Sequence, residues 1–314
     1  MVDLSIIIVS WNTCQLLKGC LESIYQYTSG ITFEVFVVDN ASSDRSVDMV
    51  RELFPQVNVI ANDYNAGFSK ANNQAINISS GKYVALLNPD TLLIKDIFNP
   101  LIAYLEVHNN IGAIGPKILS SDRESIQYAC ARRLPTPYLE LIDNLKLDRK
   151  FPKIFKGIYM FNWDHKTSKY VELLSGACMV IRRKAIDDIG LFDENQFMYA
   201  DDVDLCKRLI NSGWKIYYYA DSSLIHYGGE SSKKNKVFSN IKMLESTHYY
   251  YLKHHGKLHA TLFCIQILIL NLGKYLWRIA SKKGKKEMIE LLEIYKKSIR
   301  WSFREILKES LKKN

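Results

Sequence analysis

The stretch LSIIIVS, residues 4–10, decides the fold. It is a run of mostly β-branched residues with no polar alternation, the pattern of a strand buried on both faces. Strands of that kind belong to the middle of a parallel sheet, where neighbours are joined by helical crossovers. The sequence that follows supplies both. NTCQLLKGCLESIYQY (12–27) has helical spacing through Leu16, Leu17, Cys20, Leu21 and Ile24. FEVFVVDN (33–40) is a second buried strand, and SSDRSVDMVRELF (42–54) is a helix with Ser43 as its candidate cap. VNVIAN (57–62), SKANNQAINIS (69–79) and KYVALLN (82–88) continue as strand, helix and strand. This alternation predicts an α/β domain with a mostly parallel sheet flanked by helices.

Open sheets of this kind bind ligands at the carboxyl ends of their strands. Those ends read Ser10-Trp11-Asn12, Asp39-Asn40, Asn62-Asp63 and Asn88-Pro89-Asp90. Asp39 can accept the imide N–H of a pyrimidine or a ribose hydroxyl, or it can close an Asx-turn. Pro89 fixes φ and holds Asn88 extended, so Asp90 stands on a stiff loop. A carboxylate there suits a hard divalent cation bridging two phosphates, although a plain β-turn uses the same residues. No glycine-rich dinucleotide fingerprint follows the first strand, and no Walker-type lysine loop occurs. Both absences argue against an ordinary NAD enzyme or a P-loop ATPase.

QFMYADDVDLCKRL (196–209) places three aspartates in four positions at the start of a helical pattern. Helix capping explains two of them, with Asp201 at the N-cap, Asp204 at N3, and Leu205 and Leu209 as the buried seam. Capping does not require Asp202. A carboxylate at a helix start beside a pocket has the form of a general base. His226 follows the strand WKIYYYA (214–220) and opens HYGGES (226–231). It reads as a metal or phosphate contact, with an ordinary loop histidine the alternative.

Of the net charge of +9 over 314 residues, +6 falls in Lys282–Asn314, where eleven Lys/Arg face five Asp/Glu. A basic tail on a nearly balanced body suggests anionic lipid rather than nucleic acid. The six cysteines form no C-x-x-C pair and read as reduced core thiols. No secretory signal is expected, since the chain opens on a strand. LHATLFCIQILILNLGKYLW (258–277) is the membrane candidate. Its His259, Gln266, Asn271 and Lys274 favour a helix lying in the interface over one that crosses, with packing on the domain the alternative. His248, His254, His255 and His259 have no accompanying acid and read as a solvated or lipid-facing surface. Residues 120–169 show weak patterning and read as an irregular connector. The division is 1–235 and a helical, basic 236–314.

Taken in order, SIIIVSWN, VVDNASSD, NAGFSKANNQAI, LLNPDT, SGACMVIRR, GLFDENQFMYADDVDLCKRLINSGW and HYGGES resemble the family 2 inverting GT-A glycosyltransferases, near the bacterial rhamnosyltransferase-like group. The resemblance spans residues 4 to about 231. It implies a GT-A fold, a Rossmann-like mixed and mostly parallel sheet, with a C-terminal helical extension. It implies that Ser10, Asn12 and Asp39 hold the nucleoside, and that Asn65, Gly67, Asn73 and Asn88 line the nucleotide pocket. Gly176, Ala177 and Asp201 would meet the donor sugar or acceptor. Asp202 would be the base, and Asp90 with His226 would hold Mg²⁺ or Mn²⁺. The implied donor is a dTDP- or UDP-sugar, dTDP-rhamnose first, and the implied acceptor a glycan or lipid-linked glycan in cell-surface polysaccharide synthesis. The implied location is cytoplasmic, peripheral on the inner face of the plasma membrane, with no nucleic acid partner. Asp201 stands where the family usually has Glu, and Leu173 where a Trp is expected. Two other readings compete: a catalytically silent nucleotide-sugar-binding scaffold, and a transferase charging polyprenyl phosphate, which would usually carry stronger spans than 258–277.

Overall fold

Strand β1 (Leu4–Ser10) lies between β2 (Phe33–Asp39) and β4 (Tyr83–Leu87), parallel to both, and β3 (Asn58–Ala61) extends the sheet beyond β2. Leu4, Ile6, Ile7 and Ile8 are fully buried, as a strand covered on both faces must be. The crossovers are α1 (Cys14–Tyr27), α2 (Ser46–Leu53) and α3 (Phe68–Ile78). Leu17, Cys20, Leu21 and Ile24 form the buried stripe of α1. The strand order 3-2-1-4 reverses direction between β1 and β4, which opens a crevice at their carboxyl ends.

This computed structural model describes residues 2–228, 236–280 and 286–311, and the chain forms two units. The first unit continues with β5 (Thr91–Leu93), α4 (Phe98–Val107), β6 (Ile111–Leu119) and β7 (Ala131–Arg132). Helices α5 (Pro137–Asn144) and α6 (Leu147–Lys150) belong to the second unit. The first then resumes with β8 (Lys169–Val171), β9 (Leu173–Leu174), β10 (Cys178–Arg182), α7 (Arg183–Ile189), α8 (Asp201–Asn211) and β11 (Lys215–His226). Among the described residues the main sheet has nine strands, ordered β3-β2-β1-β4-β10-β6-β11-β5, with β8 on the first half of β11.

One departure from parallel pairing builds the site. β10 is antiparallel to both β4 and β6, so the start of β10 meets the end of β4. Asn88 N donates to Ala177 O across that junction at 3.0 Å. β11 is bulged between Tyr219 and Ser223, and its end pairs antiparallel with β5, setting His226 opposite Thr91. β7 and β9 form a separate ribbon with Arg132 opposite Leu173.

The second unit gathers Pro135–Ile158 and Met198–Ala200 with α9 (Lys236–Ala280) and α10 (Lys286–Leu311). A division at residue 235 leaves 135–158 in the first unit. Long-range packing of α5 on α9 decides its membership, and no local pattern announces that. Thr136 caps α5, accepting from Leu139 N, with Pro137 at the first helical position. Gly256, at φ 79°, breaks α9 into two helical segments. His248 is buried and packs edge-on against Trp301, so it is not part of a solvated histidine surface.

Ser43 does not cap α2. That helix begins at Ser46 behind Arg45, whose φ is 61°, and Ser43 donates its N–H and hydroxyl to Asn12 Oδ1. None of the six cysteines is in a disulfide, and five are buried.

Candidate active site

The crevice between β1 and β4 is organised by side chains at strand ends. Asp39 is 1% exposed. Its Oδ1 accepts Ser42 N at 2.8 Å, an Asx-turn, while its buried Oδ2 has no partner. Oδ1 thus meets the Asx-turn reading of Asp39, and Oδ2 is a buried acceptor without a protein donor. A buried carboxylate oxygen without a donor is costly, so a nucleoside N–H or hydroxyl arriving there would relieve a penalty already present. Asn12, at φ 55°, takes Ser42 Oγ on its N–H and holds the 41–44 turn through its Oδ1. Ser10 is fully buried, its hydroxyl 3.0 Å from Thr13 Oγ1.

The Asn65 loop is pinned from beneath. Asn65 Oδ1 accepts Gly67 N at 3.0 Å, and Asn40 Nδ2 donates to Gly67 O at 3.1 Å. Gly67 has φ +82°, and a Cβ there would stand 2.3 Å from Phe197 O, so only glycine fits. Asn73 is buried in the middle of α3. Its Nδ2 donates to Phe192 O and Glu194 Oε1, and its Oδ1 accepts Phe192 N. The amide expected in the nucleotide pocket is engaged by the 192–194 loop, which makes Asn73 a support for the segment leading to α8.

Asp90 and His226 stand together. His226 Nε2 lies 3.2 Å from Asp90 Oδ1, with Asn88 Nδ2 at 3.4 Å from the same nitrogen. Gln127 Nε2 donates to His226 O at 2.6 Å, which leaves Gln127 Oε1 to accept from His226 Nδ1 at 3.0 Å. With its proton on Nδ1, the ring directs the Nε2 lone pair at a carboxylate oxygen. Two acceptors facing each other need a cation or a proton between them. Two adjacent ligands of one octahedral ion, each about 2.1 Å from it, would be about 3.0 Å apart. The pair therefore fits a divalent ion. Among the described residues no group of three or more His, Cys, Asp or Glu could hold a metal. Asp90 and His226 are thus two candidate donors without a third His, Cys, Asp or Glu beside them among the described residues.

Asp202 is the third element. Its Oδ2 accepts Arg132 Nη2 at 3.0 Å and Gly176 N at 3.4 Å, and its Oδ1 accepts Val203 N at 2.9 Å. The carboxylate is held from three sides yet stays 18% exposed. The two preceding residues, Tyr199 and Ala200, have φ of 67° and 57°, strained for non-glycine residues and the means by which the turn aims α8. A Cβ at Gly176 would meet Asp202 Cβ and Phe68 Cζ at 3.7 Å, an ordinary contact, so the link from Gly176 to Asp202 is its backbone N–H.

The neighbouring aspartates behave differently. Asp201 lies within the first turn of α8, not at its N-cap, and is buried with Oδ1 unpartnered. Burial first, and then the charge of Asp202, push its carboxyl up to about 8. At neutral pH it keeps its proton. Asp204 also lies in that first turn. It is buried and pairs with Arg208 Nε at 2.8 Å, while Arg208 Nη1 holds Ile189 O and Gly190 O at the end of α7.

Asp90, Asn88, Ala177, Gly176 and Asp202 therefore follow one another along the strand ends through short protein contacts, with His226 beside the first and Arg132 beside the last. Arg132 and Gln127 carry no signal in the sequence, and Asn40 is marked only by its place at a strand end. Arg132 and Gln127 lie in the weakly patterned 120–169 stretch, and nothing local shows that it returns to the strand ends. Residues 229–231 of HYGGES lie outside the described residues.

The solved structures that resemble this chain carry the same architecture. A mannosyltransferase from Pyrobaculum calidifontis, in complex with GDP-Man and Mn²⁺, matches with a TM-score of 0.57 and 17% identity over 99% of this chain and 86% of that one. Staphylococcus aureus TarS 1–349 matches with a TM-score of 0.52 and 14% identity over 100% and 92%. The fold is that of a GT-A glycosyltransferase. Glycosyl transferase family 2 matches residues 5–190, and the chain belongs to that family, an inverting one. A Mycobacterium tuberculosis N-acetylglucosaminyl-diphospho-decaprenol L-rhamnosyltransferase is 26% identical over 71% of this chain and 75% of its own length. A low-salt glycan biosynthesis hexosyltransferase of Haloferax volcanii is 30% identical over 66% and 61%.

Proposed function

We propose that the chain transfers a hexose, rhamnose from dTDP-rhamnose before others, to a lipid-linked glycan of a cell-surface polysaccharide. The observation that carries the reaction is Asp202, a partly exposed carboxylate held by Arg132, Gly176 and Val203 on the same row of strand ends as Asp90 and His226. The mycobacterial rhamnosyltransferase supports the donor and the lipid-diphosphate acceptor.

Each residue has a distinct task. Asp39 Oδ2 accepts from the nucleoside, and the pinned 65–67 loop covers it. Asp90 and His226 would hold a divalent ion, whose chemistry is to neutralise the departing nucleotide diphosphate. Asp202 takes the proton of the acceptor hydroxyl as its oxygen bonds to the anomeric carbon, while the bond from that carbon to the diphosphate oxygen breaks on the opposite face. One base and one displacement give inversion. Asp201, neutral and buried, leaves Asp202 as the carboxylate of the pair that accepts the proton.

The test is transfer from a panel of dTDP- and UDP-sugars to an N-acetylglucosaminyl-diphospho-lipid, by wild type and Asp202→Asn. The variant should bind the donor with unchanged affinity and lose nearly all transfer. Full activity in the variant would sink the base assignment. Donor binding without transfer by the wild type would favour the silent scaffold.

A further inference from the structure

The second half of α9, from Lys257 to Ala280, carries an apolar stripe that its own unit does not cover. Leu258, Leu262, Ile265, Ile269, Leu272 and Leu276 follow at alternating steps of four and three and are all exposed, Leu258 at 69% and Ile269 at 64%. At about 1.5 Å per residue the stripe runs for roughly 30 Å. The opposite side of the helix is occupied: Ala260, Phe263, Cys264, Ile267 and Asn271 are buried, Phe263 towards Trp301 of α10. Apolar faces of this length are rare on free surfaces and mark a docking surface.

We propose that this stripe docks the chain in the plane of an anionic lipid bilayer. The charge pattern selects that occupant. Between Glu245 and Glu287 there is no acidic residue and there are eight Lys/Arg. Lys257 stands at one end of the stripe, and Lys282, Lys283, Lys285 and Lys286 follow the helix in sequence, while Lys274 and Arg278 keep the spacing of Asn271 on the packed side. Trp277, 65% exposed, adds an amphipathic ring of the kind that sits at headgroup level. Lysines at the ends of an apolar face reach phosphates while the face enters the acyl boundary.

Two other occupants fit less well. The spacing is that of a helix–helix seam, so a second copy is sterically possible. Two copies would bring two acid-free basic stretches together, and the positions beside the stripe, among them Thr261, Gln266, Leu268 and Tyr275, offer no opposite charges to offset that. A membrane crossing is compatible with length, since Lys236–Ala280 is long and apolar enough by composition. Crossing would require stripping the packed side of the helix and carrying the Gly256 break into lipid. The inference rests on the lipid-borne acceptor proposed above only for its purpose; its location would be peripheral.

The experiment is co-sedimentation of the full chain with vesicles of phosphatidylcholine alone and of phosphatidylcholine with one-third phosphatidylglycerol. The wild type should bind the anionic vesicles at least about tenfold better. Leu262→Ser/Ile269→Ser/Leu276→Ser should reduce that binding by at least about tenfold, with circular dichroism and donor binding unchanged. Lys257→Gln/Lys282→Gln/Lys283→Gln should lose the anionic preference. Undiminished binding by the serine variant, a retained preference in the glutamine variant, or a wild-type dimer that the serine changes dissolve would each overturn the proposal. Vesicle binding without sugar transfer would count against the proposed function alone.

Discussion

Asp201→Asn should stabilise this protein, by an amount that grows with pH. The carboxyl of Asp201 is buried beside Asp202, and its folded value is about 8 against an ordinary 3.8. Below about pH 4 the folded and unfolded chains both hold the proton, and the replacement changes little. Between about 4 and 8 the unfolded chain releases it and the folded chain keeps it. Folding then takes up one proton, so native stability falls as pH rises, by about 1.4 kcal/mol per pH unit. Asparagine has no such proton and keeps an uncharged group of the same shape in the same place. From pH 5 to pH 7 the gap between variant and wild type should widen in the variant's favour by roughly 2–3 kcal/mol. Above about 8 both states are ionised and the gap stops growing. Urea unfolding followed by tryptophan fluorescence at pH 5, 6 and 7 measures it, and taking differences removes the contributions of all other groups. Parallel stability curves for the two proteins would refute the reasoning, because they would mean that Asp201 titrates alike folded and unfolded.

Arg132→Met removes the cation that orients Asp202. Transfer should fall on the order of a hundredfold in kcat with little change in donor KM, and a change confined to KM would contradict the positioning role. Asp90→Ala and His226→Ala should each weaken Mn²⁺-dependent donor binding by about tenfold or more in calorimetry, while binding in chelator stays as in the wild type. Gly67→Ala meets Phe197 O at 2.3 Å from a left-handed backbone. It should cost about 2–4 kcal/mol of stability in thermal or urea unfolding, and a neutral result would show that the 197 backbone yields easily.

The residues that gather at the strand ends were legible in short stretches because such residues carry their own signals. Asn88-Pro89-Asp90 is stiff whatever surrounds it, and a third aspartate at 202 exceeds what a helix start needs. The plainer readings were less reliable. Asp201 reads as an N-cap, yet it lies inside the first turn of α8 as a buried neutral acid, and Asp204 there also pairs with Arg208. Capping depends on where the backbone turns, and the positive φ at Tyr199 and Ala200 delays the helix start to Asp201. Asn73 looked like a pocket residue because its loop does, but its amide faces a segment about 120 positions away.

By itself the sequence determined the layering. Four apolar strands and the helices between them can hide their faces in few ways, and a parallel sheet with ligands at its carboxyl ends is the one that local periodicity selects. Only the tertiary structure decided which distant residues share that edge. β10 enters antiparallel between β4 and β6 and carries Gly176 and Ala177 to Asn88. The bulged β11 brings His226 to Asp90, and the β7–β9 ribbon lays Arg132 against Asp202. Strand direction and sheet order depend on contacts between residues far apart in the chain, and no window of sequence contains both partners.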